Sequence, residues 1–167
     1  MLPKATEIKK QIKTQLGILP RQYSIRARPS GYSEALDCVV KDPTLGLDEL
    51  SNFLSRYEVQ RWDDYANEPL MGCNTYVSVS YSYNLLPRDQ RKTLRESLQS
   101  EWESYLNSPA NNYGESCWNP FCPKELWNAF CIHAGKKFSI HPDFVASLLS
   151  QPHYCDPVVK AYFAKVN

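Results

Sequence analysis

Two short stretches of period two, separated by a three-residue break, constrain this chain more than any other feature. From Arg21 to Arg28, Tyr23, Ile25 and Ala27 fall in one set and Ser24, Arg26 and Arg28 in the other, until Pro29-Ser30-Gly31 interrupts the alternation. Beyond the break Leu36, Cys38 and Val40 alternate with Asp37, Val39 and Lys41 and stop at Asp42-Pro43. Successive strand side chains point to opposite faces, so each stretch reads as a half-buried strand, and the two are placed to pair as a hairpin. A third strand follows from Thr75 to Tyr83, where Thr75, Val77, Val79 and Tyr81 alternate with Tyr76, Ser78 and Ser80.

Around these strands the apolar spacing becomes helical. Ile8, Ile12 and Leu16 recur every four residues, with Thr6 in a position to cap the start and Gly17 to stop the helix. Leu47, Leu50, Phe53, Leu54 and Tyr57 predict a second helix from Asp48, whose acids suit the positive end of the helix dipole. Glu58 to Trp62 reads as a short extended piece before the polar stretch Asp63 to Pro69. After Pro87, Leu94, Leu98, Trp102 and Tyr105 mark a long helix to about Leu106. Its basic residues come early and Glu101 and Glu103 late, opposite to the order the dipole prefers. Asn107 to Asn119 reads as a loop, followed by helices at Pro123 to Ala134 closed by Gly135, Pro142 to Ser150, and Asp156 to Val166.

This order implies an α+β fold: a small, mainly antiparallel sheet of three or four strands packed with helices, then a helical C-terminal extension. At 167 residues the chain reads as one domain, with a seam near residue 84 between an α+β module (1–84) and the extension (85–167). A globule of this length buries roughly two thirds of its unfolded surface, so neither a disulfide framework nor a metal is required for stability. With 43% hydrophobic residues the chain is too apolar for a disordered one, yet it lacks a run of about 18 apolar residues that would span a membrane. The first ten residues lack the pattern of a secretory signal, so the expected compartment is the cytoplasm and the six cysteines are expected as reduced thiols.

The formal net charge of +1 conceals an uneven distribution. Residues 1–30 hold seven basic residues and one acid, a net of +6, whereas residues 31–84 hold three basic residues and nine acids, a net of −6. Because Arg26, Arg28, Lys41 and Tyr76 all fall in the polar sets of their strands, one sheet face is expected to be basic and to carry an aromatic. Such a face suits single-stranded nucleic acid, through phosphate contacts and base stacking. The plainer alternative is a solvated or helix-covered face on which Lys and Arg neutralise neighbouring acids. A protein interface is the other candidate surface: Trp62 and Tyr65 beside the carboxylates Asp63, Asp64 and Glu68.

Chemistry-bearing side chains gather in the last third of the chain. Cys117, Cys122, Cys131 and His133 lie close in sequence and are candidate zinc ligands. Their spacing lacks a Cys-x-x-Cys knuckle, and Cys131 and His133, two apart on one helix, point about 200° apart around it. Buried structural thiols are the preferred reading, with neither metal nor cofactor expected. Without a Gly-rich phosphate loop, a nucleophile elbow or a His-Glu-x-x-His helix, no enzymatic activity is expected either.

The segment Asn67-Glu68-Pro69-Leu70-Met71-Gly72-Cys73-Asn74-Thr75-Tyr76-Val77-Ser78-Val79-Ser80-Tyr81 is the most distinctive in the chain. With Ile8–Lys13, Tyr23–Arg28 and Gly31–Cys38 it resembles the large polyvalent protein associated domain numbered twenty-nine, over about residues 5–83. Cys73 stands where members of that family more often have a second Gly. The resemblance implies a protein of phages, plasmids or conjugative elements, with a part in replicon establishment or in countering host defence. The expected function is therefore non-enzymatic binding through a protein surface, on a host-defence or DNA-processing machine. The alternatives are a single-stranded nucleic-acid module on the basic sheet face, and a zinc- or thiol-dependent activity of the C-terminal Cys/His cluster.

Overall fold

The computed structural model describes residues 3–63, 65, 68–69, 74–108 and 123–149. The chain divides into two compact units, Met1–Leu85 and Leu86–Asn167.

In the N-terminal unit, α1 (Ala5–Leu16) buries Ile8 and Ile12 completely and ends at Gly17, whose φ of +70° places it in the left-handed region. The helix begins ahead of Thr6. The Lys4 carbonyl already accepts the N–H groups of Glu7 and Ile8, so Thr6 lies in the first turn rather than at the cap. A 3₁₀ turn at Pro20–Gln22 leads into β1 (Tyr23–Ser30), which runs through Pro29 because β1 lies at the sheet edge, where a missing N–H is tolerated. The chain reverses at Gly31 and Tyr32 into β2 (Ser33–Val40), with Gly31 at φ +61°, the sign a type II′ hairpin demands of its first loop residue. After α2 (Asp48–Leu54) and a 3₁₀ turn at Ser55–Tyr57, a two-residue ladder joins β3 (Trp62–Asp63) to β4 (Glu68–Pro69), and β5 (Thr75–Tyr81) completes the unit.

The fold is α+β with a three-stranded sheet in the order β1-β2-β5. The expectation of an antiparallel sheet holds for β1 and β2, with Tyr23 opposite Val40 and Ile25 opposite Cys38. It fails for β5, which pairs parallel to β2, Leu36 beside Val77 and Cys38 beside Val79. The cause is the connection: the chain from Lys41 to Asn74 carries α2 and is long enough to return to the starting end of β2 before re-entering the sheet. Both registers preserve the alternation. Tyr23, Ile25, Leu36, Cys38 and Val40, with Val77, Val79 and Tyr81, line one face and pack with Ile8 and Ile12 of α1 and Leu50, Phe53 and Leu54 of α2. Each fully buried aliphatic there contributes about 1.5–3 kcal/mol.

The C-terminal unit is helical among its described residues: α3 (Arg88–Leu106), α4 (Pro123–Phe138) and α5 (Pro142–Leu148). Leu98, Trp127, Phe130, Cys131, Ala134, Val145 and Leu149 form its core. Trp102 meets Phe130 edge-on at 4.9 Å and Trp127 at 5.7 Å between ring centroids, a geometry that adds to simple burial. Gly135 does not close α4, which continues to Phe138 and turns at Ser139 with φ 56°. A Cβ at Gly135 would lie 2.8 Å from the Ile140 carbonyl oxygen, so this glycine serves close backbone approach inside the helix. The third expected helix, Asp156 to Val166, lies outside the described residues.

Candidate nucleic-acid interface

The second face of the three-stranded sheet is built by the same alternation that builds the core. Reading across the strands, Ser24, Val39 and Ser80 share one rung, Arg26, Asp37 and Ser78 the next, and Arg28, Ala35 and Tyr76 the third. Helices α1 and α2 both belong to the opposite face, and Arg26, Arg28, Ser78, Tyr76 and Ser80 are exposed. Rungs of adjacent strands lie about 4.8 Å apart, so Arg28 and Tyr76 stand about 10 Å from one another on either side of the small Ala35 side chain. Arg26, Arg28 and Tyr76 are thus brought together. Lys41, also exposed, continues the outward set past the end of β2, about 13 Å along the strand direction from Asp37.

Asp37 sits at the centre of this face. Arg28 Nε donates to its Oδ2 at 2.7 Å and Ser78 Oγ donates to its Oδ1 at 2.8 Å. These two bonds, the Arg28 one foremost, hold the Asp37 carboxyl below the usual carboxylate range. The side chains stay partly open, 49% exposed for Arg28 and 28% for Asp37, so solvent screens the pair and its value lies in orientation more than in stability. Tyr76 is 48% exposed, and its hydroxyl accepts a hydrogen bond from Asn74 Nδ2 at 3.3 Å. Asn74 is itself buried, its Oδ1 accepting the Arg61 N–H and its backbone carbonyl accepting the Glu34 N–H, which anchors the start of β5. The arrangement offers a stacking ring, two guanidinium groups and one fixed carboxylate beside the hydroxyls of Ser24, Ser78 and Ser80. Asp37, Ser78 and Asn74 are site residues that the sequence alone does not single out. The alternation places Asp37 and Ser78 in outward sets, but their meeting depends on the register of the parallel pair.

The expected protein surface is only partly in view. Tyr65 is fully exposed, Trp62, Asp63 and Glu68 contribute backbone to the β3–β4 ladder, and Asp64 and the side chains of Trp62, Asp63 and Glu68 lie outside the described residues.

Of the candidate metal ligands, Cys117 and Cys122 lie outside the described residues. Cys131 is buried in the aromatic core, where desolvation and then the nearby Asp143 push its thiol up to about 12. His133 points the other way: its Nε2 donates to Glu101 Oε1 at 2.8 Å, and its ring packs 5.0 Å from that of Tyr105. Among the described residues no group of three or more His, Cys, Asp or Glu side chains is placed to hold a metal ion. Cys38 is likewise buried and pushed up to about 12, so both described cysteines are protonated at neutral pH, the unreactive form. Also among the described residues, no helix is long and apolar enough to cross a membrane.

Comparison of the chain with protein-family models, with curated proteins and with solved structures finds no match.

Proposed function

We propose that the chain is a non-enzymatic binding protein of mobile-element type whose working surface is the open face of the β1-β2-β5 sheet, and that its ligand is single-stranded nucleic acid. The observation that carries this reading is the register: Arg26, Arg28 and Tyr76, each exposed, occupy adjacent rungs on one face, over the buried Ala35. Guanidinium groups neutralise phosphates, and a tyrosine ring accepts any base on its π-face, so sequence-tolerant binding follows from these two residue types together. An exposed tyrosine ring suits an unpaired strand with splayed bases better than a duplex, whose base faces are stacked inside.

Binding of labelled single-stranded and duplex oligonucleotides over a salt series tests it. The wild type is expected to prefer the single strand and to lose affinity steadily as salt rises. Arg26→Ala with Arg28→Ala should lower the salt dependence by about 0.7 in log–log slope for each phosphate that is no longer neutralised. Tyr76→Ala should weaken binding by about 1–3 kcal/mol if one base stacks there. Absence of salt-dependent binding at low ionic strength rejects the proposal.

A further inference from the structure

We infer that the sheet face selects guanine, by stacking it on Tyr76 and reading its Watson–Crick edge with the Asp37 carboxylate. The inference rests on the nucleic-acid reading above and adds a base preference to it. Asp37 and Tyr76 are diagonal neighbours across β2 and β5, one rung apart, a separation of about 7–8 Å that long or aromatic side chains bridge. The Tyr76 ring leans along β5 toward Asn74, whose Nδ2 donates to its hydroxyl, so the base that turns an edge toward Asp37 is one stacked over the Cβ end of the ring, nearer the Ser78 rung. That carboxylate is already oriented, one oxygen accepting from Arg28 Nε and the other from Ser78 Oγ, and each oxygen keeps a further acceptor site.

A carboxylate with both oxygens presented demands two adjacent donors. Guanine alone has them on its Watson–Crick edge, N1–H beside the N2 amino group. Adenine and cytosine each set one amino donor beside a bare ring nitrogen, and uracil or thymine sets one N–H between two carbonyls. Those acceptors would face the carboxylate lone pairs and be repelled. The negative charge does not exclude the strand itself, because Arg26 and Arg28, both on β1 beside Asp37, outnumber it and leave this part of the face positive. A carboxylate at the centre of a phosphate-binding face works against general affinity, and reading a base edge gives it a use that phosphate binding does not.

The test uses the full chain and labelled oligouridine ten-mers, in ribose form and as the thymidine equivalents, carrying one central guanine, adenine, cytosine or pyrimidine control. Fluorescence anisotropy should show the guanine strand binding about 5- to 100-fold more tightly than the other three, the discrimination expected of a bidentate pair. Replacing guanosine by inosine removes only the N2 amino group and should abolish most of that preference. Asp37→Asn should bring the four strands within about two-fold of each other while salt-dependent binding persists. Equal binding of all four strands by the wild type, or a preference that survives inosine or Asp37→Asn, overturns the guanine assignment and leaves the sheet-face reading standing. Failure of every strand to bind overturns both. The wild-type and inosine measurements decide the matter even if Asp37→Asn folds poorly.

Discussion

Asp37 and Glu101 are the same device in two settings, a carboxylate gripped by donors from both sides. On the N-terminal sheet, Arg28 and Ser78 hold Asp37 on a surface that solvent reaches. In the C-terminal helices, Lys137 and His133 of α4 hold Glu101 of α3, whose side chain is only 13% exposed, and Lys137 makes the closer contact. A strand sends alternate side chains to opposite faces, so building the core of the first unit necessarily displays a second row of residues. Helices that bury an aromatic stripe create no such ordered second face, and the polar groups at their seam are spent on joining them. The placement of Glu101 near the negative end of α3 is unfavourable by the dipole alone and is offset by the Lys137 ammonium and the His133 N–H of α4. The comparison teaches that one residue pattern stabilises in one unit and presents in the other, and that burial decides which.

The largest expected effect lies in the aromatic core. Phe130→Ala should cost about 3–5 kcal/mol in urea unfolding followed by tryptophan fluorescence, since Phe130 is fully buried against Trp102 and Trp127. A cost under about 1 kcal/mol would mean that the rings do not form the core described. Gly135→Ala comes next. Ordinarily that change favours a helix by about 1 kcal/mol, but the Ile140 carbonyl 2.8 Å away should reverse the sign to a loss of about 1–3 kcal/mol. Thermal melts decide it, and a stabilised variant would show that the backbone moves aside freely.

The smallest effect bears most directly on the comparison. Glu101→Gln should cost about 1 kcal/mol, whereas Asp37→Asn should stay within about 0.5 kcal/mol because its ion pair is solvated. Both carboxyls, and that of Asp42 held by Gln22 and Thr44, lie below their ordinary range in the folded state. A carboxyl lowered on folding stabilises where the unfolded chain has lost its proton. That contribution is therefore complete above about pH 5 and lost as pH falls through the folded values. Urea titrations from pH 7 to pH 3 should show Glu101→Gln losing less stability on acidification than the wild type. Equal acid sensitivity, or a larger cost for Asp37→Asn than for Glu101→Gln, would break the distinction between the two settings.

Much of this is legible in one dimension. The alternation Tyr23, Ile25 against Arg26, Arg28 and Leu36, Cys38 against Asp37, Lys41 already separates core from display, because strand parity is a property of neighbouring residues. The four-residue spacing of Ile8 and Ile12 likewise announces the buried side of α1. Gly135 misleads, because a glycine that ends a helix and one that admits a neighbouring carbonyl are identical in sequence. The role of Asn74 at the entry to β5 is not legible either, because its partners Arg61 and Glu34 meet it only through the fold.

The sequence by itself determined which residues share a side of each element, since periodicity is local and survives any arrangement of the elements. Tertiary structure alone decided that β5 lies parallel to β2, and therefore that Tyr76 stands one rung from Asp37 and level with Arg28, and that Ser78 reaches the same carboxylate. It likewise decided that Glu101 meets His133 and Lys137. The reason is physical: strand direction and helix pairing depend on the path of the long connections and on how distant apolar faces close upon each other, and no short-range pattern encodes either.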